Sequence, residues 1–196
     1  MTKNEIIECA SDLFSRYGIK AVNMDEIASK LGASKRTLYE SIGSKEELIN
    51  ACIMDKSARL DKQLTSILII RDTRAALEAI FTLGVSAYTI FYNFSPSFYK
   101  DIKNYATANN TMLEKDILAI QNCTKQIYAR GVEDGLLKSI EDFEILSTMW
   151  KCYHSYNMSE EPSKRVTPEL FARVLQTLMQ SLVTEQGQDL LRVIKQ

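Results

Sequence analysis

The chain has 196 residues, of which 45% are hydrophobic and 25% charged, and its net charge is −1. This composition is ordinary for a folded protein with one sizeable core, or with a small domain joined to a larger one. The chain has no overall basic field for nucleic acid. It also shows no apolar signal segment and no aliphatic run long enough to span a bilayer, which predicts a cytoplasmic protein without membrane contact.

The first fifty residues predict three short helices and the start of a long fourth one. Apolar residues recur at helical spacing from Ile6 to Tyr17, and shorter stripes follow within residues 24–31 and 38–42. Each of the first three helices is followed by a glycine that ends it: Gly18, Gly32 and Gly43. The second, third and fourth helices each begin after a residue that can cap the helix: Asn23, Ser34 and Ser44.

The rest of the chain predicts longer helices and no alternating strand pattern. These helices cover about residues 72–93, 96–108, 111–131, 141–158 and 168–186. The helix over 72–93 is apolar on nearly all sides, which predicts a central, buried position. The fold class is therefore all-α, with a small domain in residues 1–50 and a larger helical domain in residues 51–196.

A short helix, a turn through Gly32 and a second short helix form the layout of a helix-turn-helix. Gly32 supplies the left-handed turn residue. Leu38 and Ile42 of the second helix face the core. Its outer face then carries five polar side chains: Lys35, Arg36, Thr37, Tyr39 and Glu40. An exposed tyrosine beside a threonine and two cations offers donors to phosphates and base edges.

Lys45 lies in the first turn of the next helix, where free backbone N–H groups and the helix dipole favour an anion. A phosphate between the Tyr39 hydroxyl, the Lys45 ammonium and these amides is chemically sensible. Gly43 would let the backbone approach that phosphate without a side chain in the way. The local charge pattern thus favours nucleic acid although the whole chain is neutral.

The segment Ile6–Ile53 contains the stretch IASKLGASKRTLYESIGSKEEL and resembles the N-terminal domain of tetracycline-repressor-like (TetR/AcrR) transcriptional regulators. The resemblance implies a helix-turn-helix over residues 23–42 with Ser34–Ser41 as recognition helix. It implies phosphate contacts from Thr37, Tyr39 and Lys45, and base-edge positions for Lys35, Arg36 and Glu40. The expected DNA-binding residues are Asn23, Ser34, Lys35, Arg36, Thr37, Tyr39, Glu40 and Lys45.

Aromatic side chains are concentrated in the larger domain and predict a ligand pocket there. Buried hydroxyls and a tryptophan N–H need partners, which a small amphipathic ligand can supply. Ordinary core packing stays open as the alternative for each of them. The expected ligand-binding residues are Tyr88, Phe91, Tyr92, Tyr128, Trp150, Tyr153 and His154.

The last predicted helix has an apolar face that spans about 220° of its circumference, too wide to be buried by packing on its own domain. A second subunit would cover it, with the helices over 141–158 and 168–186 of two chains forming a four-helix interface of two-fold symmetry. The expected interface residues are Leu170, Val174, Leu175, Leu178, Met179 and Leu182.

These patterns predict a homodimeric, ligand-responsive DNA-binding repressor that a small, largely apolar molecule releases from a palindromic operator. The alternative is an all-α ligand-binding or interaction protein without DNA binding, which Asp25, Glu40 and the neutral charge favour. An enzyme is not expected, because His154 is the only histidine and no nucleophile elbow or phosphate loop accompanies it. The four dispersed cysteines indicate buried, reduced thiols, so we predict no metal and no cofactor.

Overall fold

The computed structural model describes residues 1–108, 110–140, 148 and 161–190. Within these ranges the chain forms eight α-helices, a short 3₁₀ helix at Pro162–Lys164, and an isolated β-bridge as its only strand-like pairing. The predicted all-helical fold class is confirmed. The helices are α1 (Lys3–Tyr17), α2 (Met24–Lys30), α3 (Lys35–Ile42), α4 (Lys45–Leu68), α5 (Thr73–Tyr92), α6 (Pro96–Ala108), α7 (Asn110–Glu133) and α8 (Pro168–Leu182).

The chain divides into two compact units that do not follow a single cut in the sequence. The first contains Met1–Leu60 and Asn93–Leu113, and the second contains Asp61–Tyr92 and Glu114–Gln196. Helix α4 begins in the first unit and ends in the second. This division differs from a cut after residue 50, and the boundary between the functional domains stays a prediction.

Local capping sets the helix ends of the first unit. Thr2 and Glu5 form a reciprocal capping box at α1, and Asn23 and Glu26 form another at α2. The Ser34 hydroxyl accepts a hydrogen bond from the Thr37 N–H at the start of α3. These contacts satisfy N–H groups that lack a partner in the first turn of a helix. The caps expected at the second and third helices are confirmed.

Helix α6 belongs to the first unit, although some fifty residues separate it in sequence from α3. The Ser95 N–H donates to the Ser15 carbonyl at 2.9 Å. The Lys20 N–H donates to Oδ2 of Asp101, a side chain on α6 that is only 5% exposed, at 2.8 Å. A buried carboxylate therefore holds the backbone of the α1–α2 connection.

The second unit contains α5, α8 and most of α7. Phe171 of α8 stacks on Tyr88 of α5 with ring centroids 4.0 Å apart, and both rings are buried. Ala76 and Leu77 are buried near the start of α5, but Ile90 near its end is 58% exposed. Helix α5 is therefore less buried than its apolar composition predicts.

Helix α8 ends at Leu182, short of residue 186 where the sequence pattern places its end. Val183 adopts extended backbone (φ −71°, ψ 136°) and forms a β-bridge with Leu137. The Lys138 N–H donates to the Leu182 carbonyl at 2.7 Å. This pairing with the segment after α7 ends the helix. The helix predicted over 141–158 lies outside the described residues.

Candidate nucleic-acid interface

Gly32 makes the turn between α2 and α3. Its φ is +63°, in the left-handed region that favours glycine. The Gly32 N–H donates to the Ser29 carbonyl at 3.1 Å, and the Ala33 N–H donates to the Ala28 carbonyl at 2.9 Å. These hydrogen bonds close the end of α2 and direct the chain into α3. The left-handed turn residue predicted at this position is confirmed.

Helix α3 has one buried and one exposed face. Leu38 is fully buried and Ile42 is 8% exposed, so both belong to the core of the first unit. The remaining side chains predicted for the outer face are all exposed: Lys35, Arg36, Thr37, Tyr39 and Glu40. This exposure is what a helix lying in a DNA groove requires, while the individual DNA contacts stay predictions.

The connection from α3 to α4 is tight and well capped. Gly43 has φ +81°, and a Cβ at this position would collide with the Glu47 carboxylate. That carboxylate accepts the Ser44 N–H at 2.6 Å, while the Ser44 hydroxyl accepts the Glu47 N–H at 3.1 Å. The capping box predicted here is present. The turn itself therefore requires a glycine at 43, whether or not a phosphate approaches it.

Lys45 follows directly in the first turn of α4 and is half-buried. Burial lowers the pKa of the Lys45 ammonium, and the carboxylates of Asp101 and Glu26 partly oppose that shift. A partly desolvated ammonium in the first turn of a helix is suited to hold an anion, although Glu46 and Glu47 lie in the same turn.

Three of the four cations between Lys30 and Lys45 are ion-paired. Lys30 Nζ lies 2.8 Å from Oδ2 of Asp12, and Lys35 Nζ lies 2.9 Å from Oδ1 of Asp25. A third pair of the same kind joins Arg36 and Glu40 along α3 at 2.8 Å. Within the described part of the chain Lys45 forms no ion pair.

These pairs shift the charge balance of the candidate interface. The four cations and their carboxylate partners Asp12, Asp25 and Glu40 carry a net charge of +1, and Arg16, which also pairs with Asp12, raises it to +2. Hydrogen bonding to Asp25 raises the pKa of Lys35, which keeps that ammonium charged. Exposed ion pairs contribute only about 0–1 kcal/mol each, so a DNA phosphate or base can compete for these cations.

Sequence reasoning missed the partners of Lys30 and Lys35. The spacing of Arg36 and Glu40 is i, i+4 on one helix and was readable from the sequence. Asp25 lies ten residues before Lys35 and on a different helix, so only the packing of α2 against α3 brings the two charges together. No sequence pattern reveals such a pair.

Three of the predicted pocket tyrosines lie within the described residues. The Tyr88 hydroxyl donates to the Val166 carbonyl at 2.6 Å. The Tyr128 hydroxyl donates to the Lys138 carbonyl at 2.8 Å and accepts the Ile140 N–H at 2.9 Å. Neither hydroxyl needs a ligand as its partner, so the argument from unsatisfied hydroxyls does not apply to these two.

Tyr92 is half-buried, and its carbonyl accepts a hydrogen bond from Arg165 at 3.0 Å. The side chain of Phe91, and Trp150, Tyr153 and His154 altogether, lie outside the described residues. The ligand contacts expected from all seven residues stay predictions.

A small polar depression of about 200 Å³ opens at the start of α5. Its lining residues are Asp72, Thr73, Arg74, Asp134, Leu136 and Gln186. The Arg74 guanidinium donates to the Gln186 carbonyl at 3.2 Å, and the Thr73 hydroxyl is hydrogen-bonded to the Asp134 carboxylate. This depression is separate from the aromatic residues predicted to bind a ligand.

The predicted interface residues of α8 are incompletely buried in the protomer. Leu170 is 47% exposed. The other five are half-buried: Val174, Leu175, Leu178, Met179 and Leu182. Leu175 lies beside Gly84 of α5, so that side chain also packs within its own protomer. An apolar helix face remains partly uncovered, and its role in a dimer stays a prediction.

Comparison with known proteins places the helix-turn-helix in a family. Residues 6–52 match the family described as bacterial regulatory proteins, tetR family. Across the whole chain, the HTH-type transcriptional repressor KstR2 of Rhodococcus jostii is 25% identical over 182 residues, covering 87% of this chain and 85% of the relative. These relatives are regulators of transcription and not enzymes.

Solved structures share the fold. The ketosteroid transcriptional regulator KstR2 of Mycobacterium tuberculosis superposes with a TM-score of 0.60 at 17% identity, covering 93% of this chain and 95% of its own. The TetR family transcriptional regulator PfmR of Thermus thermophilus gives a TM-score of 0.62 at 23% identity, covering 89% and 96%. No helix in the described ranges is both long and apolar enough to cross a membrane.

Proposed function

The chain belongs to the TetR family of bacterial transcriptional regulators, and we propose that it is a homodimeric repressor released from a palindromic operator by a small, largely apolar molecule. One observation carries the DNA-binding part of the proposal. Helix α3 follows a left-handed turn at Gly32 and exposes Lys35, Arg36, Thr37, Tyr39 and Glu40 while it buries Leu38 and Ile42. A recognition helix needs this division into a packed face and a polar reading face.

The residues of this face and its surroundings are suited to two kinds of contact, one with phosphates and one with base edges. Lys45, free of ion pairs with the described residues and set at the start of α4, is suited to a phosphate, with the Tyr39 hydroxyl as second donor. Lys35, Arg36 and Glu40 lie in the part of α3 that meets base edges. The caps Asn23 and Ser34 and the exposed Thr37 lie at helix starts, where a backbone phosphate comes closest.

The partly exposed apolar face of α8 supports the homodimer. Leu170 alone leaves 47% of its accessible surface in water, and the five half-buried residues beside it extend the same face. Association through a two-fold axis would bury this surface on both copies at once. It would also present two α3 helices to one DNA duplex, which requires half-sites about one helical turn apart.

An effector in the second unit is supported by the apolar composition of α5 and by the relatives. Two of them carry the name KstR2, one described as a ketosteroid regulator, so a ketosteroid is a reasonable first test compound. A ligand can act only through unequal affinity for DNA-bound and free conformations. A coupling of about 1–3 kcal/mol would loosen DNA roughly 5- to 150-fold.

Selection of bound fragments from a random DNA pool tests the DNA-binding proposal. The purified full-length protein should enrich a palindromic consensus with half-sites about one helical turn apart or slightly more. If no DNA sequence is enriched, even at low salt, the result would contradict DNA binding and favour a ligand-binding or interaction protein. The paired charges of Lys30, Lys35 and Arg36 are the observation that supports that second candidate.

Fluorescence of Trp150, the only tryptophan, tests the effector proposal. A ketosteroid titrated into the protein–operator complex should change the emission of Trp150 in step with DNA release. In the double variant Trp150→Phe with Tyr92→Ala, which has lost the fluorescent reporter, the ligand should release less DNA, as measured directly by operator binding. A compound that changes the emission and leaves operator affinity intact would contradict the switch.

A further inference from the structure

Glu40 holds the Arg36 side chain through one nitrogen. The Nε–H of Arg36 donates to Oε1 of Glu40 at 2.8 Å, one helical turn further along α3. The Arg36 side chain is nevertheless 87% exposed. The guanidinium makes no other contact with the described residues, so the N–H groups of Nη1 and Nη2 remain available at its outer end.

Those two amino groups form a planar fork. The fork matches two acceptors lying side by side, such as O6 and N7 of guanine in the major groove. Adenine presents an acceptor beside a donor at the same edge, and thymine presents one acceptor beside a methyl group. Guanine is therefore the base whose major-groove edge the free end of Arg36 fits.

A phosphate is a poorer partner for this arginine. The Glu40 carboxylate cancels the charge of Arg36 and would itself lie close to any phosphate that the fork engaged, which costs repulsion. Guanine carries no net charge, so the carboxylate does not oppose it. Arg36 is also the second residue of α3, and the N-terminal residues of a recognition helix contact base edges.

The neighbouring ion pair, Lys35 with Asp25, leaves no such fork of donors exposed. Lys35 is bound to Asp25 through an ammonium, which has no planar fork and is held toward α2 by both Asp25 oxygens. Of the two cations at the start of α3, only Arg36 keeps two coplanar donors exposed.

We propose that Arg36 reads one guanine in each operator half-site and that Glu40 is the positioning residue that orients its guanidinium. This inference rests on the proposed DNA-binding function. Although Glu40 lies among the base-edge positions of α3, we assign it no base of its own: it acts through Arg36, so its removal should relax base preference at the position that Arg36 reads.

The test compares base preference at every operator position among purified full-length variants. Wild type should prefer guanine at one position per half-site by roughly 5- to 150-fold, the range of one good bidentate contact. Arg36→Lys keeps the charge and loses the fork, and Glu40→Ala keeps the fork and loses its support. Both should reduce that preference to a few-fold without changing the other positions.

Two controls accompany these variants. Glu40→Gln retains an oxygen that can accept the Nε–H and should keep most of the guanine preference. Asp25→Asn removes a carboxylate from the other ion pair and should leave the preference unchanged. Because Arg36 and Glu40 are exposed, circular dichroism and thermal unfolding of all variants should match wild type.

Three results would overturn the inference while the proposed function stands. Arg36→Lys and Glu40→Ala could weaken binding equally on all sequences, which would make Arg36 a phosphate contact. The position sensitive to Arg36 could prefer another base, or Glu40→Ala could keep full guanine preference. Absence of DNA binding by the wild type is a different result, because it would overturn the proposed function as well.

Discussion

Lys45 combines a position at a helix N-terminus with partial burial and a lowered pKa. If this ammonium binds a phosphate, Lys45→Ala should weaken binding about equally on every sequence. It should also lower the slope of log affinity against log salt by about 1. Lys62→Ala, which removes an exposed lysine further along α4, is the matched control. An unchanged salt slope for Lys45→Ala in filter-binding measurements would contradict the phosphate contact.

The lowered pKa of Lys45 gives DNA binding a pH dependence with a definite sign. The charged form binds phosphate and is fully present at pH values below the pKa, so affinity should fall as pH rises through that pKa. Because burial lowers this pKa, the fall begins at lower pH than for an ordinary exposed lysine. Lys45→Arg keeps its charge and should remove this fall. Equal alkaline loss of affinity in wild type and Lys45→Arg would exclude Lys45 as its source.

Asp25 is ion-paired with Lys35, so it competes for that ammonium if Lys35 contacts DNA. Asp25→Asn removes the negative charge and frees the ammonium. Affinity for all sequences should therefore rise by a few-fold, and the salt slope should become steeper. Asp12→Asn, which frees Lys30 on α2 and Arg16 on α1, provides a comparison outside the recognition helix. Weaker binding by Asp25→Asn would show that the pair orients Lys35 for contact and does not withhold it.

At the scale of elements, α6 holds the α1–α2 connection through one buried carboxylate. Asp101→Ala would remove the hydrogen bond from the Lys20 N–H to a buried carboxylate, and a hydrogen bond to a charged group contributes about 1.5–3 kcal/mol. Chemical unfolding should show a loss of this size, whereas Asp101→Asn should lose less because its amide oxygen can still accept. Equal stability of Asp101→Ala and wild type would contradict the anchoring role of this hydrogen bond.

The exposed part of α8 offers a cleaner test of the dimer than its buried part. Leu175→Arg would place a charge beside Gly84 of α5 and damage the protomer itself. Leu170 is 47% exposed, so Leu170→Arg should leave the protomer folded and prevent association by placing an unpaired charge in an apolar interface. Light scattering should report a monomer for Leu170→Arg and a dimer for Gln180→Arg, an exposed control position. A dimeric Leu170→Arg would exclude this face.

At the scale of the whole molecule, two compact units share helix α4, and the first unit takes α6 from later in the chain. The compact unit that contains the helix-turn-helix is therefore not built from the first fifty residues alone. Ser95 and Asp101, which follow α5 in sequence, form hydrogen bonds with the backbone of α1 and of the α1–α2 connection. Both α4 and α6 thus contact α1, the helix that precedes the helix-turn-helix.

The sequence by itself determined the helix class, the caps at Asn23, Ser34 and Ser44, the turn at Gly32 and the two-faced character of α3. These features depend mainly on interactions among residues at most five positions apart, which follow directly from residue type and spacing. The pairing of Arg36 with Glu40 belongs to this group, since i, i+4 neighbours on a helix meet in any context.

Only the tertiary structure decided which distant groups meet. Asp25 reaches Lys35 because α2 packs across α3, and Asp101 reaches Lys20 across 81 positions of sequence. The hydroxyls of Tyr88 and Tyr128 donate hydrogen bonds to backbone carbonyls, although the sequence also allowed a ligand as their partner. Such contacts depend on how helices are oriented and spaced when their apolar faces pack, and many distant pairings satisfy the same local pattern. Packing therefore decided which carboxylates pair with Lys30 and Lys35, whereas the sequence had already set the positions of the charges on α3 and the pairing of Arg36 with Glu40.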